Sequence, residues 1–465
     1  MEGLFYPESV AVLGASTKPG KIGYALFKNL VEGGFRGRVY PVNVKGGAID
    51  GRRVYRSLSE LPEVPDLLIV AIPARAVPGA LEEAGRLGIR RAIVISAGFS
   101  EVGEEGRRLE EELVRVARRH NILLVGPNCL GIYNSENKLC SIFNPMDRQR
   151  FPGPGSIALL SQSGALGAAM LDWMADMGLG MSKFVSYGNA ALLEERHFVE
   201  YLAQDPKTRV IALYIEGVKD GKAFMETARK VAARKPILVI KAGRSSEGAA
   251  AASSHTGSMA GSFEVYEGAF RQSGILYTRS LREFFVMAKA LSMLEPPSGP
   301  RVGIVTNGGG MGVLTTDAVI EGGLEIARFS EGTVEEFERL VRAGKLPEHG
   351  AYNNPVDILG DARPETYEEA MRVVLSDPGV DMVVLIVIAV APTLRPDLPQ
   401  RLSHLVGKKP VVGIIPGSDF AKSMARGLED MGIPIYETPE EAVVALRALY
   451  DYGRIRKKLS SGTGP

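Results

Sequence analysis

Short apolar runs alternate with amphipathic segments along almost the whole of this chain, and each set of runs opens with one that enters a glycine-containing turn. That alternation constrains the fold most. Buried apolar strands separated by stretches of helical period form parallel sheets joined by crossover helices. Ser9–Leu13, Arg38–Val42, Leu67–Ile72, Ala92–Ser96 and Ile122–Val125 are expected strands, with helices at Val77–Leu87 and Glu104–Arg119. A break rich in Pro, Gly and Arg follows at Asn144–Gly155, and the pattern restarts with Ser156–Leu160, Ser182–Ser186, Val210–Ile215 and Ile237–Lys241. Beyond the linker-like Glu295–Pro300 come Val302–Thr306, Met382–Val390 and Val411–Ile415. The expectation is three α/β domains, over 1–145, 151–294 and 300–455.

A chain of 465 residues is too long for one ordinary core, which agrees with that division. A formal net charge of +1 supplies no field to recruit nucleic acid or an anionic membrane. The aromatics are sparse and not interleaved with a basic stripe, which argues against RNA binding. The two cysteines, Cys129 and Cys140, make neither a disulfide framework nor a metal-ligand spacing, so a cytoplasmic location and no metal site are expected. The first strand begins too early to leave room for a signal peptide, and Met382–Val390 is too short to span a bilayer. Scarce glutamine and abundant arginine hint at a thermophilic source.

Four segments carry chemistry. The first turn, Gly14-Ala-Ser-Thr-Lys-Pro-Gly-Lys-Ile-Gly23, lets backbone approach a diphosphate at a helix N-terminus, although its spacing is not that of a dinucleotide fingerprint. The second strand ends Tyr40-Pro-Val-Asn43 with no acidic residue for an NAD ribose, while Lys45, Arg52, Arg53 and Arg75 lie at or after strand ends. That pattern suits a nucleotide with an extra ribose phosphate, NADP or coenzyme A; a tight turn with no ligand is the plain alternative. Ala71–Ala74, Ser96–Phe99 and Gly126–Gly131 are further small or polar strand ends. Cys129 there is more simply a packed small residue than a reactive thiol.

Second, Ser161-Gln162-Ser163-Gly164 passes from strand to a helix starting near Ala165, which offers either an anion site or an unoccupied serine cap. Third, Glu216 ends an apolar strand, as an ordinary strand-end acid or as the orienting partner of a histidine, the reading favoured here. Fourth, His255 stands within Gly248–Ser262, where nearly every other side chain is small. A reactive imidazole that must reach a reacting centre needs such a light frame; a solvent-facing histidine on an Ala-rich helix is the alternative. Thr306–Gly312 repeats the glycine turn and suits close packing with another domain or subunit. His120, His197, His349 and His404 show no ligand spacing, and Trp173 on an apolar helical stripe is expected in the core.

In this order the segments resemble the NDP-forming acyl-CoA synthetases, the relatives of succinyl-CoA synthetase, and among them the alpha subunits of archaeal ADP-forming acetyl-CoA synthetases. The resemblance runs from the first turn to about Tyr452, with Ser-Ser-His-Thr-Gly-Ser its most specific motif. It implies a Rossmann-like CoA-binding domain followed by two flavodoxin-like domains of succinyl-CoA synthetase type. It implies an acid–thiol ligase that interconverts acyl-CoA, ADP and phosphate with a carboxylic acid, ATP and CoA, through an acyl phosphate and a phosphohistidine on His255. Glu216 would orient that histidine, and Ser161, Gln162, Ser163, Gly164 and Ala165 would hold the phosphoryl group.

Coenzyme A would be contacted by Gly14, Ala15, Ser16, Lys21, Gly23, Asn43, Lys45, Ile72, Pro73, Ser96, Ala97, Gly98 and Asn128. The first turn is longer than that of succinyl-CoA synthetase. No ATP-grasp pattern is visible, so ADP/ATP and Mg2+ would be met through an ATP-grasp beta subunit in an alpha2beta2 heterotetramer, with His255 swinging between the two sites. A CoA-binding scaffold without transfer activity and an NADP-dependent oxidoreductase are the rival readings.

Overall fold

The computed structural model describes residues 1–256 and 262–461, with 252–256 as backbone only. It divides into two compact units, Met1–Arg279 and a second from Ser280 onward.

The first unit opens with a five-stranded sheet in which every pairing is parallel. Its strands are β1 (Ser9–Leu13), β2 (Arg38–Val42), β5 (Leu67–Val70), β6 (Arg91–Val94) and β7 (Leu123–Val125), in the order β2-β1-β5-β6-β7. A two-stranded ribbon of β3 (Ala48–Ile49) and β4 (Arg52–Arg53) follows β2. Helices cover the sheet, which is why Leu67–Val70 is buried along its whole length. The chain leaves β1 toward β2 and returns to the other side of β1 for β5, so the order reverses between β1 and β5. Doubly wound sheets bind ligands in the crevice at that point, beyond the strand carboxyl ends.

The second sheet of this unit has seven strands: β8 (Gly131–Asn134), β9 (Leu139–Cys140), β10 (Pro154–Ser161), β11 (Met181–Ser186), β12 (Val210–Ile215), β13 (Ile237–Lys241) and β14 (Leu276–Thr278), in the order β14-β13-β12-β10-β11-β8-β9. Five strands run parallel, and the β8–β9 hairpin adds antiparallel beside β11. Residues 131–140 therefore belong to the second sheet, although the sequence division assigned them to the first domain. A short apolar run does not reveal a partner fifty residues downstream. The order reverses here between β10 and β12, which brings Ser161 and Tyr214 side by side in register.

In the second unit β15 (Arg301–Thr306), β16 (Glu325–Ile326), β17 (Val356–Asp357), β18 (Met382–Ile386), β19 (Val411–Ile414) and β20 (Ile435–Tyr436) form one parallel sheet. The helix Leu281–Met293 packs on the long helix Pro439–Ser460, so it joins this unit although it precedes the Glu295–Pro300 break. Strand β18 ends sooner than its apolar sequence suggests. The Asn307 side chain accepts from Ile388 N at 2.7 Å and donates to Ile388 O at 3.2 Å, replacing ladder bonds there.

One expectation about the core is corrected. Trp173 is 43% exposed. The helix Gly164–Asp176 buries Gly167, Met170, Leu171 and Met174, a stripe that residue 173 falls beside. Among the described residues no helix is long and apolar enough to cross a membrane, and no cluster of metal-ligating side chains occurs.

Candidate active site

The β1–β2–β5 ends build the first part of the site. Gly14 has φ +96°, and a Cβ there would collide with the Ala71 carbonyl oxygen. A Cβ on Gly23 would collide with the Gly14 carbonyl, so the helix Ile22–Glu32 begins hard against the turn. The Gly14 and Ala15 N–H groups both donate to Val42 O, at 2.9 and 3.2 Å. Asn43 ties the neighbouring loop down: its Nδ2 donates to Ala15 O at 2.7 Å, and its Oδ1 accepts from Lys45 N at 3.0 Å. Ser16 Oγ accepts from Lys18 N at 3.1 Å. Lys21, at the N-cap of the helix, makes no side-chain cap, and both Lys21 and Lys45 are exposed at the rim.

This close packing requires glycine at residues 14 and 23, since a Cβ at either would meet backbone, and Gly14 in addition holds a positive φ. Gly14→Ala is expected to weaken coenzyme A binding at least ~10-fold and to cost about 2–4 kcal/mol of stability, through the strained φ and the collision together. Calorimetric titration and thermal melts of the variant check it.

The strand ends continue into a cavity of about 760 Å3. Ile72, Ser96, Ala97 and Asn128 line it from the first sheet; Gln162, Ser163, Gly164 and Ala165 line it from the second. Ser96 Oγ donates to Ile72 O at 2.6 Å and Asn128 N donates to Ser96 O at 3.0 Å, so these loops hold one another. Pro73 and Gly98 lie outside the lining, and Gly98 N is occupied by Glu101 Oε1 at 2.6 Å. Cys129 lines the cavity with its thiol on Val94 O at 3.3 Å, and burial pushes that thiol up to about 12. It stays protonated and is a poor nucleophile.

The β10 end supplies the anion-binding geometry. Ser161 is fully buried and its hydroxyl donates to Ser163 O at 2.7 Å, so it shapes the loop from behind. Ser163 caps the helix Gly164–Asp176, its Oγ accepting from Leu166 N at 3.3 Å. The first N–H groups of a helix have no acceptor within it, and here Gly164 and Ala165 begin that helix and face the cavity. Gln162 Oε1 accepts from Glu216 N and, at 3.0 Å, from Gly217 N, so this loop and the β12 end form one unit. Glu216 is buried, and its Oε1 accepts from the Tyr214 hydroxyl at 3.2 Å. His255 lies in the helix Ser246–Thr256; its side chain lies outside the described residues.

Two residues of this region have no counterpart in the sequence reading. Lys241 closes β13 and is 3% exposed; its Nζ donates to Ala242 O and sits 4.6 Å over the Tyr266 ring. Burial lowers its pKa, while the negative charge of Glu216 acts in the opposite sense. A lysine ending an otherwise apolar strand was the available signal. Asn189 is the other. Its Nδ2 reaches Glu101 Oε2 at 2.6 Å and Glu110 Oε2 at 2.9 Å, and its Oδ1 accepts from Asn128 at 3.2 Å, so the β11 loop braces the cavity-lining Asn128.

Behind the site, Tyr187 OH and Glu195 Oε1 are buried and find no hydrogen-bond partner among the described residues. Burial, and then Glu194, raise the Glu195 carboxyl from 4.5 to about 7. Between those values the folded protein holds a proton that the unfolded chain releases, so stability falls as pH rises through the window and levels off above it. Glu195→Gln stays neutral throughout. It is expected to match wild type near pH 4.5 and to exceed it by about 3 kcal/mol at pH 8, as read from melts at the two pH values. Of the other histidines, His197 Nδ1 accepts from Glu194 N at 3.0 Å, while His120 and His404 face Glu82 and Glu368.

A parallel sheet and a mixed sheet, each with a glycine-containing turn at its reversal point, share a cavity with a capped helix N-terminus, and the family models place this arrangement among coenzyme A ligases of the succinyl-CoA ligase type. Three family models match in the same order: a CoA binding domain at 8–135, a succinyl-CoA ligase like flavodoxin domain at 154–291 and a Ligase-CoA domain at 302–460. The chain is 44% identical to the acetate–CoA ligase [ADP-forming] I subunit alpha of Pyrococcus furiosus, over 98% of this chain and 99% of that one. It is 44% identical to the acetate–CoA ligase [ADP-forming] I of Archaeoglobus fulgidus over 98% of its length, spanning 64% of that longer protein. The solved acetyl-coenzyme A synthetase 1 of Ca. Korarchaeum cryptofilum, in complex with phosphate and ADP, superimposes with a TM-score of 0.90 at 36% identity over 99% of this chain and 98% of that one. The chain belongs to the ADP-forming acetate–CoA ligase family.

Proposed function

We propose that this chain is the alpha subunit of an ADP-forming acetyl-CoA or acyl-CoA synthetase. The observation that carries the reading is the shared cavity. Strand ends of a CoA-binding sheet and the Ser163–Ala165 helix start line one space, so a thioester and a phosphate bound at the two ends would meet. Phosphate oxygen attacks the thioester carbonyl, the C–S bond breaks, and CoA leaves as the thiol. Helix N–H groups stabilise the phosphate and the acyl phosphate formed from it.

His255 then attacks phosphorus, the carboxylate departs, and the phosphoryl group rests on the imidazole. Glu216 accepts the remaining imidazole N–H and stabilises the cationic phosphohistidine. The phosphohistidine donates to ADP in the presence of Mg2+. Those last ligands are assigned to a partner subunit, since relatives of this length are named as alpha subunits; the proposal takes that partner to be an ATP-grasp beta subunit in an alpha2beta2 assembly.

The test uses the chain co-purified with its native partner, incubated with acetyl-CoA and labelled phosphate. Acid-labile, base-stable label mapping to His255 is the expected result. Coenzyme A binding without label from any of a panel of acyl-CoAs would replace the proposal with a CoA-binding scaffold. Binding of NADP in preference to coenzyme A would replace it with an oxidoreductase.

A further inference from the structure

Part of the cavity lining, Ile22, Leu130, Phe143 and Ala168, has no role in the chemistry above. Among the described residues that line the cavity, none carries a charged side chain; Ile22, Ile72, Leu130 and Phe143 supply apolar surface, and Ala165 and Ala168 leave space. A second carboxylate on the acyl group would be desolvated there without a cation to pair with.

Phe143 is held in this wall from both sides. The buried Asn29 donates through Nδ2 to Ile142 O at 2.7 Å and to Asn144 O at 2.8 Å, so the residues before and after Phe143 are both fixed. A second chain of bonds ties the same segment to the phosphate-end helix. Asn144 Nδ2 donates to Gln149 Oε1 at 3.1 Å, and Gln149 Nε2 donates to Ala168 O at 3.0 Å. Ala168 is one turn beyond Ala165 on that helix. The wall carrying Phe143 is therefore anchored to the helix whose start would receive the phosphate, the end of the cavity where an acyl carbon must lie to be attacked.

We infer that Phe143 sets the size of the acyl group this enzyme accepts, with an uncharged, apolar monocarboxylic acyl chain packed against its ring. The inference rests on the acyl-transfer reading of the cavity. Replacing the ring by a methyl group opens space for several methylene-sized groups, and each such group changes discrimination by roughly 10-fold or more in an apolar pocket.

The experiment compares kcat/KM for acetyl-CoA, isobutyryl-CoA, phenylacetyl-CoA and succinyl-CoA in the complex with the native partner, for wild type, Phe143→Ala and Phe143→Leu. The expected result is a rise of at least ~10-fold in the ratio of isobutyryl- or phenylacetyl-CoA to acetyl-CoA, smaller in Phe143→Leu, with coenzyme A affinity within about 2-fold of wild type and succinyl-CoA poorly used throughout. Phe143→Leu keeps most of the packing, so it reads the ratio even where Phe143→Ala melts early. Unchanged ratios in both variants, with coenzyme A still bound, would overturn the assignment while leaving acyl transfer intact. No turnover of any acyl-CoA by the wild-type complex would instead remove the acyl-transfer reading, and this assignment with it.

Discussion

His255→Ala is expected to abolish net ATP formation from acyl-CoA, ADP and phosphate, by at least ~10^4-fold, while coenzyme A still binds. The size follows from the role. A covalent carrier has no substitute in alanine, and water reaching the acyl phosphate yields only hydrolysis. The selectivity follows from the architecture. The proposed coenzyme A contacts, the Gly14 turn, Asn43 and the Ile72 and Ser96 strand ends, all belong to the first sheet. His255 belongs to the Ser246–Thr256 helix, which follows β13 of the second sheet. Calorimetry with coenzyme A and a coupled ATP assay read the two properties separately. The variant also isolates the first chemical step: release of free CoA from acetyl-CoA and phosphate should persist through one turnover of acyl phosphate. Residual phosphoryl transfer to ADP near the wild-type rate would remove histidine from the pathway.

Much of this arrangement is legible in the sequence because parallel α/β folds announce themselves locally. Each buried strand is a continuous apolar run, and each ligand-facing end is the small or polar segment after it. Ile72, Ser96, Asn128 and Ser163 stand out that way, and the structure gathers them around one cavity. What the sequence hides is everything decided by pairing at a distance. The β8–β9 hairpin crosses to the second sheet because Gly131–Asn134 finds its register on β11. Asn189 braces Asn128 from sixty-one residues away, and neither asparagine marks the other in the sequence. Gln162 stands in the expected phosphate loop, yet its carbonyl is taken by the Glu216 and Gly217 N–H groups, so its first task is to fix the β12 end. Ser161 likewise has the right residue type, but its buried hydroxyl serves the loop backbone. Side-chain type indicates what a residue can bond; only the fold decides which bond is already made.

Glu216→Gln is expected to slow phosphorylation of His255 by roughly 10- to 100-fold and to leave coenzyme A affinity within about 2-fold of wild type. Glutamine preserves the shape of the side chain and can still present an oxygen to an imidazole N–H, so the change removes charge more than contact. A hydrogen bond to a carboxylate exceeds a neutral one by about 1–2 kcal/mol when buried, and the difference grows as the imidazole becomes a cationic phosphohistidine. The site is suited to that role. Glu216 is 9% exposed, Tyr214 donates to its Oε1, and Gln162 fixes its main chain, so the carboxylate is held rather than sampled. Lys241 complicates the variant in a useful way. It is buried beside the same strand end, and losing the Glu216 charge leaves its ammonium with a carbonyl and an aromatic face. Glu216→Gln should therefore also melt lower than wild type, and Glu216→Gln with Lys241→Met should recover part of that stability without recovering the phosphorylation rate. Rapid-quench labelling of His255 from acetyl-CoA and labelled phosphate, in the complex with the partner subunit, gives the rate, and melts of the single and double variants give the stability. Wild-type labelling in Glu216→Gln would reduce Glu216 to a strand-end acid; joint recovery of rate and stability in the double variant would mean that the carboxylate serves Lys241 and not the histidine.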